Sequence, residues 1–305
     1  MSQAAQPAVI AIVGPTASGK SALALRVAQA VDAEIVSTDS MQAYRGMNIG
    51  TAKPTKAEQA QVPHHFIDTL DPSDDYTAGQ FERDALKFLE DYFTSHDVAI
   101  LVGGSGLYLK AVSDGFDDLP ATPPKVRAKF ETMRNEQGLS ALVDLLKKQD
   151  PSYAANVDLE NPQRVQRALE AIETSGKRFS DMRAAQAKAR PFHVHRILLH
   201  PERQALYERI NARVAAMIEA GLEQEVRGLY PLKSLNALQT VGYQEFFDHF
   251  DGKCTRQQAI DKIKQHTRNY AKRQFTWFKK QDGYKKFTLE KEDDVLRHLR
   301  DQMNV

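Results

Sequence analysis

Short apolar runs alternate with longer segments of helical spacing along the first third of the chain. The continuous runs at 8–13 (AVIAIV) and 98–104 (VAILVGG) are typical of strands buried on both faces of a parallel sheet. Weaker strand patterns occur at 34–39 (EIVSTD) and 65–70 (HFIDTL). After Thr77, a residue type that caps helix N-termini, the apolar positions follow one stripe of an amphipathic helix. The alternation predicts an α/β domain built on a parallel sheet.

The pattern changes after this segment. Residues 115–124 (GFDDLPATPP) contain three prolines, and from there to about residue 191 the spacing is helical, with no convincing strand. We therefore predict a helical insertion domain at 117–192, within an α/β core formed by residues 1–116 and 193–305. The later part of the core is predicted to contain a strand at 195–200 and helices near 202–220, 222–229, 241–250 and 255–280.

The composition is that of a globular protein, with 42% apolar and 27% charged residues in a chain of 305. No apolar run approaches the ~20 residues of a membrane-spanning helix, and the first residues lack the charged segment of a signal peptide. We therefore expect a cytoplasmic protein with no membrane partner, and we expect a monomer because nothing in the sequence demands a dimer. Cys254 is the only cysteine, which excludes internal disulfides and cysteine-based zinc sites. The adjacent His64 and His65 point to different faces, so any metal is expected to have oxygen ligands.

The net charge of +1 conceals an uneven distribution. Residues 68–97 carry nine acidic against two basic side chains, whereas residues 253–287 carry eleven Lys and Arg against two Asp. This asymmetry favours an anionic partner for the C-terminal part, although a solvated helix face would give the same charge pattern.

Residues 14–21 (GPTASGKS) match the phosphate-binding pattern G-x-x-x-x-G-K-[ST], with a buried strand before them and a helix after them. In such a loop the backbone N–H groups converge at the positive end of the helix, and Lys20 adds a full charge. The hydroxyl of Ser21 can ligate Mg²⁺. The predicted fold is therefore a P-loop-type sheet, and the predicted diphosphate- or nucleotide-binding residues are Gly14, Pro15, Thr16, Ala17, Ser18, Gly19, Lys20 and Ser21.

Nothing in this loop specifies a nucleoside. A nucleoside triphosphatase normally has an acidic residue at the end of a second apolar strand, where it holds Mg²⁺. The strand at 98–104 ends in Gly103 and Gly104 instead. Asp39, at the end of the 34–39 pattern, is the remaining candidate. Its position is compatible with a metal ligand, a general base or a helix N-cap.

The stretch TDSMQAYRGMNIGTAKP at 38–54 resembles the signature of the tRNA dimethylallyltransferases, also called isopentenyl-tRNA transferases. Further motifs follow in the order of that family over nearly the whole chain: VPHHFID, DYTAGQFERDA, LVGGSGLYLKA, NPQRVQRALE, GLEQEVRGL, QTVGYQE and RNYAKRQFTWF. The longer eukaryotic members carry a C-terminal zinc module that this sequence lacks, so we expect a bacterial-type enzyme.

The resemblance implies an activity and assigns catalytic roles. Members of the family transfer a dimethylallyl group from dimethylallyl diphosphate to N6 of adenosine 37, next to the anticodon, in tRNAs that read codons beginning with U. The loop at 14–21 would then hold the diphosphate of an isoprenoid, with Mg²⁺ as the cofactor. Asp39 becomes the general base that accepts the N6 proton, and Thr16 lies near the diphosphate and the reacting carbon. Arg213 stabilises the leaving group, with Arg209 one helical turn away as the alternative.

The resemblance also implies contacts with the anticodon stem-loop, whose target base must be flipped out of its stack. Gln42 could then read the edge of adenine through paired hydrogen bonds. Without the resemblance, Ser105 would be a strand-end turn and 163–167 a basic helix. At helical spacing, Tyr270, Trp277 and Phe278 are expected in the core. The predicted tRNA-binding residues are Asp39, Ser40, Met41, Gln42, Ser105, Arg127, Gln163, Arg164, Val165, Gln166, Arg167, Lys272 and Arg273.

Two other functions compete with this interpretation. A small-molecule or nucleoside kinase would use the same loop for ATP and would phosphorylate a small acceptor. An RNA-binding nucleotide switch would show slow hydrolysis and ligand-dependent RNA affinity, without a covalent product.

Overall fold

A computed structural model of the chain describes residues 6–116, 119–183, 188–288 and 292–303. The chain divides into two compact units, one formed by the residues up to Ser113 and from Arg190 onward, the other by Asp114–Ala189. Both boundaries lie three residues before the predicted ones. The Lys188 N–H donates to the Asp114 carbonyl over 2.7 Å, which ties the two ends of the second unit together.

The first unit is built around a parallel sheet. Its strands among the described residues are β1 (Ala8–Val13), β2 (Glu34–Ser37), β3 (His64–His65), β4 (Val98–Gly103), β5 (His193–Leu199) and β6 (Lys285–Phe287). Their spatial order is β3-β2-β4-β1-β5-β6, and every pairing is parallel. β1 lies between β4 and β5, and all its residues are buried. The predicted parallel α/β core is confirmed.

The edges of the sheet differ from the prediction. β3 pairs with β2 only at His64 and His65. The predicted strand at 65–70 is wrong beyond His65, because Phe66 and Asp68 adopt left-handed conformations, with φ of 62° and 54°, which cannot continue a strand. β6 has no counterpart in the prediction, since the three residues KKF are too few to give a periodic signal.

In chain order the helices among the described residues are α1 (Lys20–Val31), α2 (Lys56–Gln61), α3 (Ala78–Tyr92), α4 (Gly106–Ser113), α5 (Pro124–Gln149), α6 (Pro151–Ala154), α7 (Pro162–Ser175), α8 (Phe179–Met182), α9 (Arg203–Glu219), α10 (Leu222–Leu229), α11 (Gln244–Phe250), α12 (Arg256–Lys279) and α13 (Glu292–Met303). α3 begins after Thr77 as predicted, and Thr77 and Gln80 form a reciprocal capping box. None of these helices, within the described ranges, is long and apolar enough to cross a membrane.

Helices cover both faces of the sheet. α1 and α13 pack on one face through apolar residues that include Leu23, Val27 and Leu299. α3, α4 and the end of α12 pack on the other face, where Phe81 and Phe278 are buried. The prediction that Phe278 belongs to the core is therefore confirmed.

A third apolar cluster joins the loop after β2 to the C-terminal helices. Tyr44 and Met47 from this loop pack with Leu222, Tyr243 and Phe246. All five side chains are buried. This packing places the residues after β2 next to α9, α10 and α12.

The described part of the second unit contains helices and loops but no strand. α5 and α7 pack around a core that contains Phe130, Leu146 and Val165. Asp150 is fully buried and accepts hydrogen bonds from the Tyr153 and Ser180 N–H groups over 2.9 and 2.7 Å. Burial raises the pKa of Asp150, but these hydrogen bonds outweigh it and keep the pKa below its usual value.

Candidate active site

The loop between β1 and α1 has the backbone conformation of a phosphate site. Ala17 and Gly19 adopt left-handed conformations, with φ of 60° and 88°, and the Ser18 N–H donates to the Pro15 carbonyl over 3.2 Å. The chain therefore turns tightly into the first turn of α1, which begins at Lys20. Because the first N–H groups of a helix lack partners within it and carry partial positive charge, this position favours an anion.

Close packing behind the loop requires a glycine at position 14. A Cβ atom on Gly14 would lie 2.8 Å from both the Leu199 carbonyl oxygen and Ser18 Oγ. Ser18 Oγ is buried, and no residue in the described part of the chain forms a hydrogen bond with it. A buried hydroxyl without a partner is costly, so this atom is suited to a ligand oxygen or a water molecule.

Two cations lie beside the loop and lack full solvation. Lys20 Nζ donates to the Pro15 carbonyl over 3.1 Å. Burial and the nearby Arg213 lower the pKa of Lys20 from 10.5 to about 8, although Asp39 opposes the shift. Burial also lowers the pKa of Arg213, with Asp39 opposing this shift and Arg209 adding to it. An anion placed between Lys20 and Arg213 would offset the repulsion between these two positive charges.

Asp39 follows β2 and is held at both its backbone and its side chain. The Asp39 N–H donates to Ser37 Oγ over 3.3 Å, and Asp39 Oδ1 accepts from the Met41 N–H over 3.0 Å. The Ser37 hydroxyl donates to Gln42 Oε1 over 3.0 Å, and Gln42 Nε2 donates to two carbonyls at residues 51–52. No helix begins after Asp39 in this fully described stretch, so the helix-cap alternative is excluded.

These bonds engage both ends of the Gln42 amide. A residue that reads an adenine edge needs a free donor and a free acceptor, and both N–H bonds of the Gln42 amide already go to the 51–52 segment while its oxygen accepts from Ser37. The observed role of Gln42 is to fix the surroundings of Asp39. Its role as an adenine reader stays a prediction.

Glycines at the end of β4 allow three segments to approach each other. A Cβ atom on Gly103 would lie 2.2 Å from Thr38 Oγ1, and one on Gly104 would lie 2.2 Å from Gln274 Nε2. Ser105 follows, and its Oγ accepts from the Ser40 N–H over 3.3 Å. The structure thus brings together Ser40 and Ser105, both predicted to contact tRNA.

Two cavities meet at this place. The polar cavity, of about 60 Å³, is lined by Lys20, Ser21, Ser37, Gln42 and Gln274 among others. The apolar chamber, of about 120 Å³, is lined by Met41, Ile210, Val214, Met217, Leu222, Val241 and Ile263 among others. The residues that line both cavities are Thr16, Asp39, Thr51, Arg213 and Tyr270. All three residues predicted as catalytic, Thr16, Asp39 and Arg213, therefore lie at the junction of the two cavities.

Tyr270 belongs to this junction and is half-buried, so it lies at the edge of the core instead of inside it. Burial and the charge of Asp39 raise the pKa of Tyr270 to about 12, although hydrogen bonds with Ser105 and Gln274 oppose the shift. The hydroxyl therefore stays protonated near neutral pH and can donate a hydrogen bond. Tyr270 and Gln274 are four residues apart on α12, so a shared helix face was the one available signal for both.

Glu225 on α10 fixes the loop that forms one wall of the cavities. Its carboxylate accepts hydrogen bonds from the N–H groups of Asn48, Ile49 and Gly50 over 3.0, 2.7 and 3.0 Å. It also accepts from the Tyr243 hydroxyl over 2.6 Å. This arrangement has no sequence signal, because its parts are far apart along the chain.

A cationic cleft of about 420 Å³ opens beside the phosphate loop. Lys20, Lys53, Arg209 and Arg213 line it, with Glu58 as the opposing charge. Arg209 lines this cleft but neither the polar cavity nor the apolar chamber, whereas Arg213 lines all three. Of these two arginines, Arg213 is therefore the one that lies at the junction of the two cavities.

The described residues contain no group of three or more His, Cys, Asp or Glu side chains suited to a metal ion. His65 Nε2 lies 2.6 Å from Glu34 Oε2, and His64 Nδ1 lies 2.8 Å from the Val62 carbonyl. These histidines thus have protein partners. A cation at the phosphate loop would depend on Ser21, Asp39 and the oxygens of a bound ligand.

The remaining residues predicted to contact tRNA differ in exposure. Lys272 and Arg273 are exposed on α12, and Arg127 is exposed on α5. On α7, Gln163 and Arg164 are exposed, whereas Val165 and Gln166 are buried and Arg167 is half-buried. Within the second unit, Gln166 donates to Glu170, while Arg167 donates to the Pro120 carbonyl and to Thr122. Val165 and Gln166 thus pack inside the unit, and the binding role of the segment stays a prediction.

Comparisons with known proteins give a consistent result. The family model described as IPP transferase matches residues 42–281. The tRNA dimethylallyltransferase 1 of Bacteroides thetaiotaomicron is 42% identical over 96% of this chain and 96% of its own length. The tRNA dimethylallyltransferase of Christiangramia forsetii is 43% identical over 97% and 99% of the two chains.

Solved structures agree with the sequence relatives. The full-length tRNA isopentenylpyrophosphate transferase of Bacillus halodurans superposes with a TM-score of 0.73 and 36% identity, covering 98% of this chain and 97% of that one. A eukaryotic dimethylallyltransferase acting on tRNA superposes with a TM-score of 0.79 and 29% identity, covering 92% of this chain and 74% of the other.

Proposed function

Because this chain belongs to the IPP transferase family, we propose that it transfers a dimethylallyl group from dimethylallyl diphosphate to N6 of adenosine 37 in tRNAs that read codons beginning with U. The products are N6-(dimethylallyl)adenosine, next to the anticodon, and diphosphate. The observation that carries the proposal is that an apolar chamber and a phosphate loop share the walls formed by Thr16, Asp39 and Arg213. An allylic diphosphate needs this combination, because it joins a short hydrocarbon to two phosphates.

The apolar chamber has the size and lining of an isoprenoid site. An apolar cavity of about 150 Å³ accepts benzene, which has six carbons, so about 120 Å³ is suited to the five carbons of a dimethylallyl group. At ~0.8 kcal/mol per buried carbon, burial of the dimethylallyl group would contribute about 4 kcal/mol to binding. Ile210, Val214 and Ile263 would surround it without offering a hydrogen-bonding group.

The phosphate loop would hold the diphosphate and stabilise its departure. The N–H groups at the start of α1, Lys20 and Arg213 act where negative charge grows as the bond from the allylic carbon to oxygen breaks. The donor set fits Mg²⁺, because the Ser21 hydroxyl and the Asp39 carboxylate belong to residues that line the same polar cavity. When bound, Mg²⁺ would neutralise part of the charge on the diphosphate.

Asp39 would complete the transfer by taking a proton. As N6 of the adenine bonds to the allylic carbon, one N6 proton must leave, and the Asp39 carboxylate lines the junction where the two substrates meet. The hydrogen bonds from Met41 and to Ser37 hold Asp39 in place, which preserves the alignment that such a transfer needs.

The tRNA would contact exposed cations of both units. Lys272 and Arg273 on α12, and Arg127 and Arg164 of the insertion unit, are exposed groups suited to the phosphate backbone. A tRNA substrate supports a cytoplasmic location for the proposed enzyme.

A kinase is the second candidate, and the structure does not favour it. β4 ends in Gly103, which has no carboxylate for the metal of a nucleotide, and the chamber beside the loop is apolar. Mass analysis of nucleosides from tRNA treated with the purified protein, dimethylallyl diphosphate and Mg²⁺ tests the choice. We expect N6-(dimethylallyl)adenosine to appear and ATP to be neither required nor consumed. Phosphorylation of a small acceptor with unmodified tRNA would overturn the proposal.

A further inference from the structure

One buried amide connects the phosphate loop, the end of β4 and the basic helix α12. Gln274 Oε1 accepts the Thr16 N–H over 2.8 Å, and Gln274 Nε2 donates to the Gly104 carbonyl over 2.9 Å. Gln274 is only 6% exposed, and it lines the polar cavity together with Thr16. Both ends of one side chain therefore hold main-chain atoms at the candidate active site.

The surroundings of this amide leave it little freedom. Gly104 has no Cβ atom, and one placed there would lie 2.2 Å from Gln274 Nε2. The bond to Gln274 also commits the Thr16 N–H, which therefore does not point at the phosphates. Thr16 is thereby held at the junction of the polar cavity and the apolar chamber. This junction is where the allylic carbon would lie between diphosphate and hydrocarbon.

We propose that Gln274 is a positioning residue for the transfer step, which holds Thr16 and the Gly104 turn in the alignment that the reacting carbon requires. The inference rests on the proposed function. Gln274 would act through Thr16 and would not itself touch the diphosphate. Since misplacement by about 1 Å can cost roughly 10²-fold in rate, loss of this amide should slow the chemical step more than it weakens substrate binding.

The test separates alignment from binding and from folding. Gln274→Met keeps the length of the side chain and removes both hydrogen bonds, and Gln265→Met is the control on an exposed position of the same helix. Single-turnover rates at saturating tRNA and dimethylallyl diphosphate, the Kd for inorganic diphosphate and the melting temperature are measured for both variants. We expect Gln274→Met to lower the rate by roughly 10- to 100-fold, with a Kd within threefold of the unaltered protein. Gln265→Met should leave all three unchanged.

Gly104→Ala provides an independent route that leaves the amide in the protein. The added methyl group would displace Gln274 Nε2, so the same loss of rate with a retained Kd is expected. Rates within twofold of the unaltered protein in both variants, or a Kd that worsens in parallel with the rate, would overturn the positioning role. The unaltered protein reports separately on the proposed function, because absence of any prenylated tRNA there would reject the activity whatever Gln274 does.

Discussion

The site residues predicted at strand ends lie together in the structure. The site residues predicted on α7 of the insertion unit instead differ in exposure. Thr16 and Asp39 follow β1 and β2, and both line one junction together with Arg213. On α7, in contrast, Arg164 is exposed whereas Val165 is buried, although the two residues are adjacent.

The difference has a simple geometric cause. Parallel strands end at the same edge of a sheet, so loops that follow different strands meet there whatever their sequences. On a helix, successive residues are rotated by about 100°, so a contiguous motif points in several directions. When binding roles are assigned to every residue of a family motif, the assignment therefore works well in a loop after a strand. On a helix the same procedure also assigns binding roles to residues that pack in the core.

Replacement of Asp39 tests the strand-end site with the largest expected effect. Asp39→Asn keeps an oxygen that can accept from the Met41 N–H but cannot take up a proton. We expect the transfer rate to fall by roughly 10²- to 10⁴-fold, with tRNA affinity within about twofold, as measured by single-turnover kinetics and filter binding. Full activity in Asp39→Asn would remove the general-base role.

Arg213 and Arg209 form a natural pair for the next test. Arg213 lines both the junction and the cationic cleft. Arg209 is exposed and lines the cleft but not the junction. Arg213→Gln should lower kcat/KM by roughly 10²- to 10³-fold, as expected for loss of one donor to the leaving group. Arg209→Gln should lower it by less than about tenfold, since its charge is more exposed to solvent. The opposite order would assign the catalytic arginine to position 209.

The lowered pKa of Lys20 predicts a pH dependence of diphosphate binding. Lys20 with a pKa of about 8 is charged below pH 8 and loses its proton above it, and only the charged form attracts the anion. The affinity for inorganic diphosphate should therefore be higher below pH 8 and fall by up to about tenfold per pH unit above it. Isothermal titration calorimetry between pH 6.5 and 9.5 measures this change. Lys20→Arg remains charged throughout, so a decline of equal steepness in that variant would show that another group is responsible.

The parts of the fold and site that could be predicted share one property, which is that their signals are local. β1, the phosphate loop and the capping box at Thr77 each lie within a short segment. Asp39 is a candidate because it directly follows an apolar run. In a parallel sheet, a residue in that position lies at the edge where the carboxyl ends of the strands meet. Its role can be assigned only with the family resemblance, because the residues alone are compatible with a metal ligand, a general base or a helix N-cap.

The parts that were missed depend on contacts between distant segments. Thr16 and Gln274 are 258 positions apart in the sequence. Glu225 is at least 175 positions from each of the three residues whose N–H groups it binds. Glutamine in a basic helix and glutamate in an amphipathic helix are ordinary surface residues by composition. Only the folded chain shows that both fix loops at the site.

Two adjacent residues on α7 test the comparison most directly, with the smallest expected effects. Arg164→Ala removes an exposed cation, so tRNA affinity should fall a few-fold and the salt dependence of binding should lose about one unit of slope. Val165→Ala removes buried methyl groups, so the free energy of unfolding should fall by about 1–2 kcal/mol with an unchanged salt slope.

Filter binding at several salt concentrations and denaturant unfolding measure the two quantities in both variants. Because the residues are neighbours in sequence but differ in burial, each variant is the control for the other. A reduced salt slope in Val165→Ala, or a large loss of stability in Arg164→Ala, would contradict the division of α7 into a packing side and an RNA side. If Arg164→Ala leaves tRNA binding unchanged, Arg164 is a solvated surface residue, and Gln163 and Arg127 are the exposed insertion-unit residues to alter next.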